Sequence, residues 1–75
     1  MNISDVMIHI NESLGEAERS TLEDAMRKID GVVSPKFNAG KQHLLLIAYD
    51  TEKTNTAILL EKARAAGYIA QLVGM

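Results

Sequence analysis

His43-Leu44-Leu45-Leu46-Ile47-Ala48-Tyr49-Asp50 is the stretch that decides the fold. From Leu44 to Tyr49 no polar residue interrupts it, and the run is too short for an ordinary helix, so it reads as a strand covered on both faces. Immediately before it, Asn38-Ala39-Gly40-Lys41 has turn composition, and Val32 to Phe37 reads as a second strand. Pro35 has no amide proton, which assigns that strand to a sheet edge.

Further upstream, Leu22, Ala25, Met26 and Ile29 recur at helical spacing, with Glu18, Arg19, Glu23, Asp24, Arg27 and Lys28 on the other sides. Ser13 and Glu16 have the spacing of a capping box at its start, and Gly31 suits a left-handed cap at its end. Val6, Ile8 and Ile10 alternate with Asp5, Met7, His9 and Asn11, the period of a strand with one buried face. Downstream, Thr54 is placed to cap a helix striped by Leu59, Leu60, Ala63 and Ala66, Gly67 ends it, and Tyr68 to Val73 forms a last strand. The order β-α-β-β-α-β predicts an α+β, ferredoxin-like fold, a four-stranded antiparallel sheet with two helices on one face, filling residues 1–75 as a single domain.

Composition narrows the function. A chain of 75 residues buries only roughly 60% of its unfolded surface, a small core that leaves little margin for strained catalytic machinery. The absence of cysteine excludes disulfides, thiolate metal sites, iron–sulfur clusters and thiol nucleophiles. A net charge of −2, with eight basic residues in no run, offers nucleic acid no electrostatic footprint. No apolar stretch approaches the ~20 residues of a membrane span, and Met1-Asn2-Ile3-Ser4-Asp5 lacks the basic start of a signal peptide. These features predict a soluble cytoplasmic protein without membrane attachment. Ser13, Ser20, Ser34 and the threonines have no histidine at a catalytic spacing, and the glycines never cluster into a phosphate loop. Neither an enzyme nor a cofactor is expected.

Four short strings then fall in register: Ile29-Asp30-Gly31-Val32, Phe37-Asn38, Ile47-Ala48-Tyr49-Asp50 and Ala65-Ala66-Gly67-Tyr68-Ile69-Ala70. Together they resemble the heavy-metal-associated domain of copper chaperones and metal-transporting ATPases over nearly the whole chain. In that family a Met-x-Cys-x-x-Cys loop between the first strand and helix holds a soft ion through two thiolates. Counting back from Gly31 places those cysteines near Leu14 and Ala17, and no residue from Ile10 to Arg19 is Cys, Met or His. Glu12, Glu16 and Glu18 read as acidic residues favoured at a helix N-terminus. The resemblance therefore implies the fold and withholds metal trafficking.

Met7 and His9 share one face of the first strand and are weak candidates for a soft metal, short of a full ligand set. By alternation with Leu45, Ile47 and Tyr49, His43 is expected on the opposite face; Met1 and Met75 are terminal. The resemblance implies that Tyr49 is buried, which sends Leu45 and Ile47 to the helices and leaves Leu44, Leu46 and Ala48 facing out. The fold sets Met7 and His9 beside these, with Ser34 and Lys36 on the edge strand. An apolar centre with a polar rim predicts a non-catalytic protein-interaction module, its partner another protein or a second copy. Two alternatives are a metal carrier using Met7, His9 or terminal residues, and a small-ligand regulatory domain of the ACT type, which shares the element order. RNA recognition on such a sheet needs stacking aromatics, and Phe37 is the only phenylalanine, with no tryptophan.

Overall fold

The computed structural model describes residues 1–74, so Met75 lies outside the described residues. Its elements are β1 (Ile3–Ile10), α1 (Glu16–Arg27), β2 (Val32–Phe37), β3 (Leu44–Asp50), α2 (Thr56–Ala65) and β4 (Ala70–Val73). The strands form one sheet in the order β2-β3-β1-β4, every neighbouring pair antiparallel. With both helices against one face, this is the ferredoxin-like arrangement that the element order predicts.

β3 is central, with β1 pairing from Ile3↔Asp50 to His9↔Leu44 and β2 on its other edge, but its apolar run is covered on one face only and not on both as its composition suggests, because both helices pack on the side of Leu45 and Ile47 and leave Leu46 44% exposed. Pro35 lies in β2, an edge strand, where a missing N–H interrupts a single ladder. Ile8, Ile10, Leu45 and Ile47 from the sheet, with Met26 from α1 and Leu59 from α2, are the largest fully buried side chains. The core thus sits between the sheet and the helices, leaving the other sheet face without a covering layer.

Four boundaries differ from the sequence reading, each for a local reason. α1 begins at Glu16 with Gly15 as its N-cap, so the capping interaction runs between Glu18 and Gly15 instead of Glu16 and Ser13: the Gly15 N–H donates to Glu18 Oε1 at 3.1 Å. Leu14 causes this shift, because its side chain is buried in the core and the chain turns into the helix only after it. α1 ends at Arg27 with Lys28 as its C-cap, and Gly31 lies beyond that cap in the turn to β2. It has a φ of 100°, and a Cβ there would come within 2.7 Å of Lys53 Cβ.

α2 is capped by Asn55, whose Oδ1 accepts from the Ile58 N–H at 3.0 Å, and not by Thr54. Thr54 is buried with its hydroxyl unpartnered. β4 starts at Ala70 and not Tyr68, since the Ile69 N–H donates to the Glu12 carboxylate instead of to a strand.

Candidate functional site

The sheet face turned away from the helices is built by alternation. In β3, Leu45 and Ile47 are fully buried and Tyr49 nearly so, while Leu46 between them is 44% exposed and Leu44 and Ala48 are half-buried. The expected parity holds. Register then arranges the neighbours: Met7 lies opposite Leu46 on one side and Val73 on the other, His9 opposite Leu44 and Gln71, and Asp5 opposite Ala48. On the far side of β3, Lys36 lies opposite Leu46 and Ser34 opposite Ala48.

Met7, Leu44, Leu46 and Ala48 therefore make an apolar centre flanked by Asp5, Ser34, Lys36, His9 and Gln71. Two residues that the sequence reading missed enlarge it. Val73, opposite Met7, and Ile3, two and four residues from Asp5 and Met7 on the same side of β1, are both exposed large hydrophobics. Ala70 and Leu72 point inward in β4, so the same alternation carried one residue further would have found Val73.

His43 departs from expectation. Its ring does not face away from His9 but lies alongside it, with ring centroids 5.6 Å apart and planes 16° from parallel. His43 precedes the first residue of β3, where strand alternation no longer governs direction. Its carbonyl accepts from the Ile10 N–H at 2.8 Å, and its Nδ1 lies 2.8 Å from the Ile10 carbonyl oxygen. These two bonds hold its ring against β1 and bring Met7, His9 and His43 into one neighbourhood.

The segment between β1 and α1, where the resemblance places two cysteines, is closed by its own contacts. Glu12 spans 57 positions of chain to accept from the Ile69 N–H, at 3.0 and 3.1 Å from its two oxygens. It is a tether to the α2–β4 connection, not a partner of the helix terminus, a role left to Glu16 and Glu18 in the first turn. Arg19 donates from its guanidinium to the Leu14 carbonyl at 2.6 Å, and the Leu14 side chain is buried. Leu14 is thus a core residue, and Ala17 is exposed in the first turn of α1. Among the described residues no group of three or more His, Asp or Glu side chains is arranged to hold a metal ion. Among the same residues, no helix is long and apolar enough to cross a membrane.

No protein-family model and no curated protein sequence matches the chain. Solved structures do. Oxidized MerP from Ralstonia metallidurans superposes with a TM-score of 0.84 at 19% identity, over 96% of this chain and 99% of that one. The N-terminal domain of a potential copper-translocating P-type ATPase from Bacillus subtilis gives 0.83 at 20% identity, over 95% and 88%. The CopZ metallochaperone gives 0.78 at 21% identity, over 93% and 100%. Likeness at this identity is likeness of fold: the chain has the fold of the heavy-metal-associated domains, and it has no cysteine with which to build their dithiol site.

Proposed function

We propose that this protein is a non-catalytic interaction module that binds a protein partner through the open sheet face centred on Met7, Leu44, Leu46 and Ala48. The observation that carries the reading is the exposure of apolar side chains in the middle of a sheet, where a water-facing surface ordinarily carries polar residues at alternate positions. Leu46, Val73 and Ile3 are exposed together with the half-buried Met7 and Leu44, and charged and polar groups border them. A centre of this kind with a polar rim has the anatomy of a protein contact surface. Covering a leucine fully is worth roughly 1.5 to 3 kcal/mol, less the cost of association. A second copy is the simplest partner, because one face can meet itself across a two-fold axis.

The neighbours of the same fold that are described as metallochaperone or copper-translocating domains are metal-handling proteins. That activity is not carried over to this chain, because its β1–α1 segment contains none of the thiolates the activity needs. The ACT-type reading lacks a feature that would define a ligand.

The test is the double substitution Leu44→Lys with Leu46→Glu, examined by circular dichroism and by sedimentation across a concentration series. The variant is expected to remain folded and monomeric, while the wild type associates with itself or retains a protein partner through this face. A wild type that stays monomeric at high concentration and captures no partner sensitive to the substitution would overturn the proposal. An unfolded variant would contradict the exposure of Leu46 on which it rests.

A further inference from the structure

We infer that His9 and His43 form a two-imidazole site for a late first-row divalent ion, Cu(II) ahead of Ni(II) and Zn(II), at the end of β1. The site is separate from the β1–α1 segment and lies at the rim of the open sheet face, where His9 stands opposite Leu44 and Gln71. Its first support is the placement of the rings. Their centroids are 5.6 Å apart. With metal–nitrogen bonds of about 2.0 to 2.1 Å, two imidazoles on one ion put their centroids ~4.5 Å apart at a right angle and ~6.4 Å apart when opposed. The observed separation falls inside that range, so the two rings already stand at a spacing that one ion can span. With the His43 ring held by Ile10, it is the His9 ring that must turn for the two lone pairs to converge.

The second support is the state of the His43 ring. Its Nδ1 is 2.8 Å from the Ile10 carbonyl oxygen, an atom with no proton to give. The contact is a hydrogen bond only if Nδ1 carries the hydrogen, and in a neutral imidazole that leaves the lone pair on Nε2. A backbone carbonyl holding one ring nitrogen is the usual second shell of a metal-ligating histidine, since it fixes both tautomer and orientation. The bond joins the start of β3 to the end of β1, so the strand carrying His9 is also the one that orients His43.

The donor chemistry selects the ion. With no thiolate in the chain, a site built from imidazole suits copper, nickel and zinc, and the general order of stability places Cu(II) first. Met7 is on the same face two residues back along β1, and a thioether is a weak ligand for a divalent ion, so water fills the remaining positions. Two protein donors correspond to a dissociation constant on the order of micromolar.

The experiment uses the full chain without an affinity tag, with CuCl2, NiCl2 and ZnCl2 as probes. Calorimetry is combined with paramagnetic broadening of the protein's NMR signals. One ion is expected per chain, with Cu(II) and Ni(II) broadening His9, His43, Leu44 and Gln71, and with affinity falling on acidification because a protonated imidazole has no lone pair to offer. His9→Gln and His43→Gln should each weaken binding at least tenfold, while Met7→Leu changes it less than threefold.

His43→Gln also removes the bond to Ile10, so His9→Gln, which leaves that bond intact, supplies the readout that a folding defect cannot imitate. The chain's amino terminus is a competing Cu(II) ligand; the double variant His9→Gln with His43→Gln retains it and reports its share. Broadening confined to the first few residues, wild-type affinity in either single variant, or one ion shared by two chains would overturn the site.

Discussion

Ile47 and Leu46 are neighbours in β3 with opposite surroundings: Ile47 is fully buried, opposite Val6 and Pro35, and Leu46 is 44% exposed, opposite Met7 and Lys36. An aspartate at position 47 would place an unpaired carboxylate between sheet and helices, where burial of a charge costs several kcal/mol. A domain of this size has only about 4 to 11 kcal/mol in total. Ile47→Asp is therefore expected to lose its native circular dichroism at 25 °C, and Leu46→Asp to keep it. The reverse outcome would mean that the strand is inverted. That the two face opposite ways was legible because alternation inside a hydrogen-bonded ladder is enforced by geometry, and which one is buried followed from the resemblance that places Tyr49 inside. His43 was not legible, for the complementary reason: it stands one residue outside the ladder, where two hydrogen bonds to Ile10 set its direction and no periodic rule does.

Helix ends show the same division between what pattern fixes and what contacts decide. Thr54 and Asn55 are both good capping residues, and adjacent candidates look equivalent in a sequence. The structure separates them, with the Asn55 side chain on the Ile58 N–H and the Thr54 hydroxyl buried without a partner. Asn55→Ala should then cost about 1 kcal/mol in urea unfolding, the ordinary value of a lost N-cap. Thr54→Val should be neutral or stabilising by up to about 1 kcal/mol, since it replaces an orphaned hydroxyl with a methyl of the same shape. A loss at Thr54 matching that at Asn55 would return the cap to Thr54. At the other helix, Ser13 and Glu16 had the right spacing for a box and lost to Gly15 and Glu18, because burying Leu14 carries more free energy than a capping bond. Tertiary burial therefore moved the start of α1 by a short step, without changing its existence or its face.

The element order was readable from hydrophobic period and turn chemistry, and the burial of Leu45, Ile47 and Tyr49 from the family resemblance, since a run apolar on both faces does not choose a side by itself. The Glu12 tether to Ile69 was not, because a bond across 57 positions has no local signature. One property belongs to the molecule entire. Its accessible surface is 4621 Å², against about 4,500 Å² for a free-standing monomer of 8.2 kDa. Its radius of gyration is 11.2 Å, against about 11.3 Å for a chain of this length folded alone. The open face is thus a patch on an otherwise complete fold, unlike the severed core of an obligate dimer. A partner that binds only the folded state raises stability by mass action, so self-association should appear as a urea midpoint that rises with protein concentration above a fixed monomer value. At low micromolar concentration the wild type and the Leu44→Lys, Leu46→Glu variant are expected to unfold within about 1 kcal/mol of each other, the range of two surface substitutions. As concentration increases, the wild-type midpoint climbs and the variant's stays level. A wild-type midpoint that keeps falling on dilution until the chain is unfolded would make association a condition of folding, against what its surface area implies.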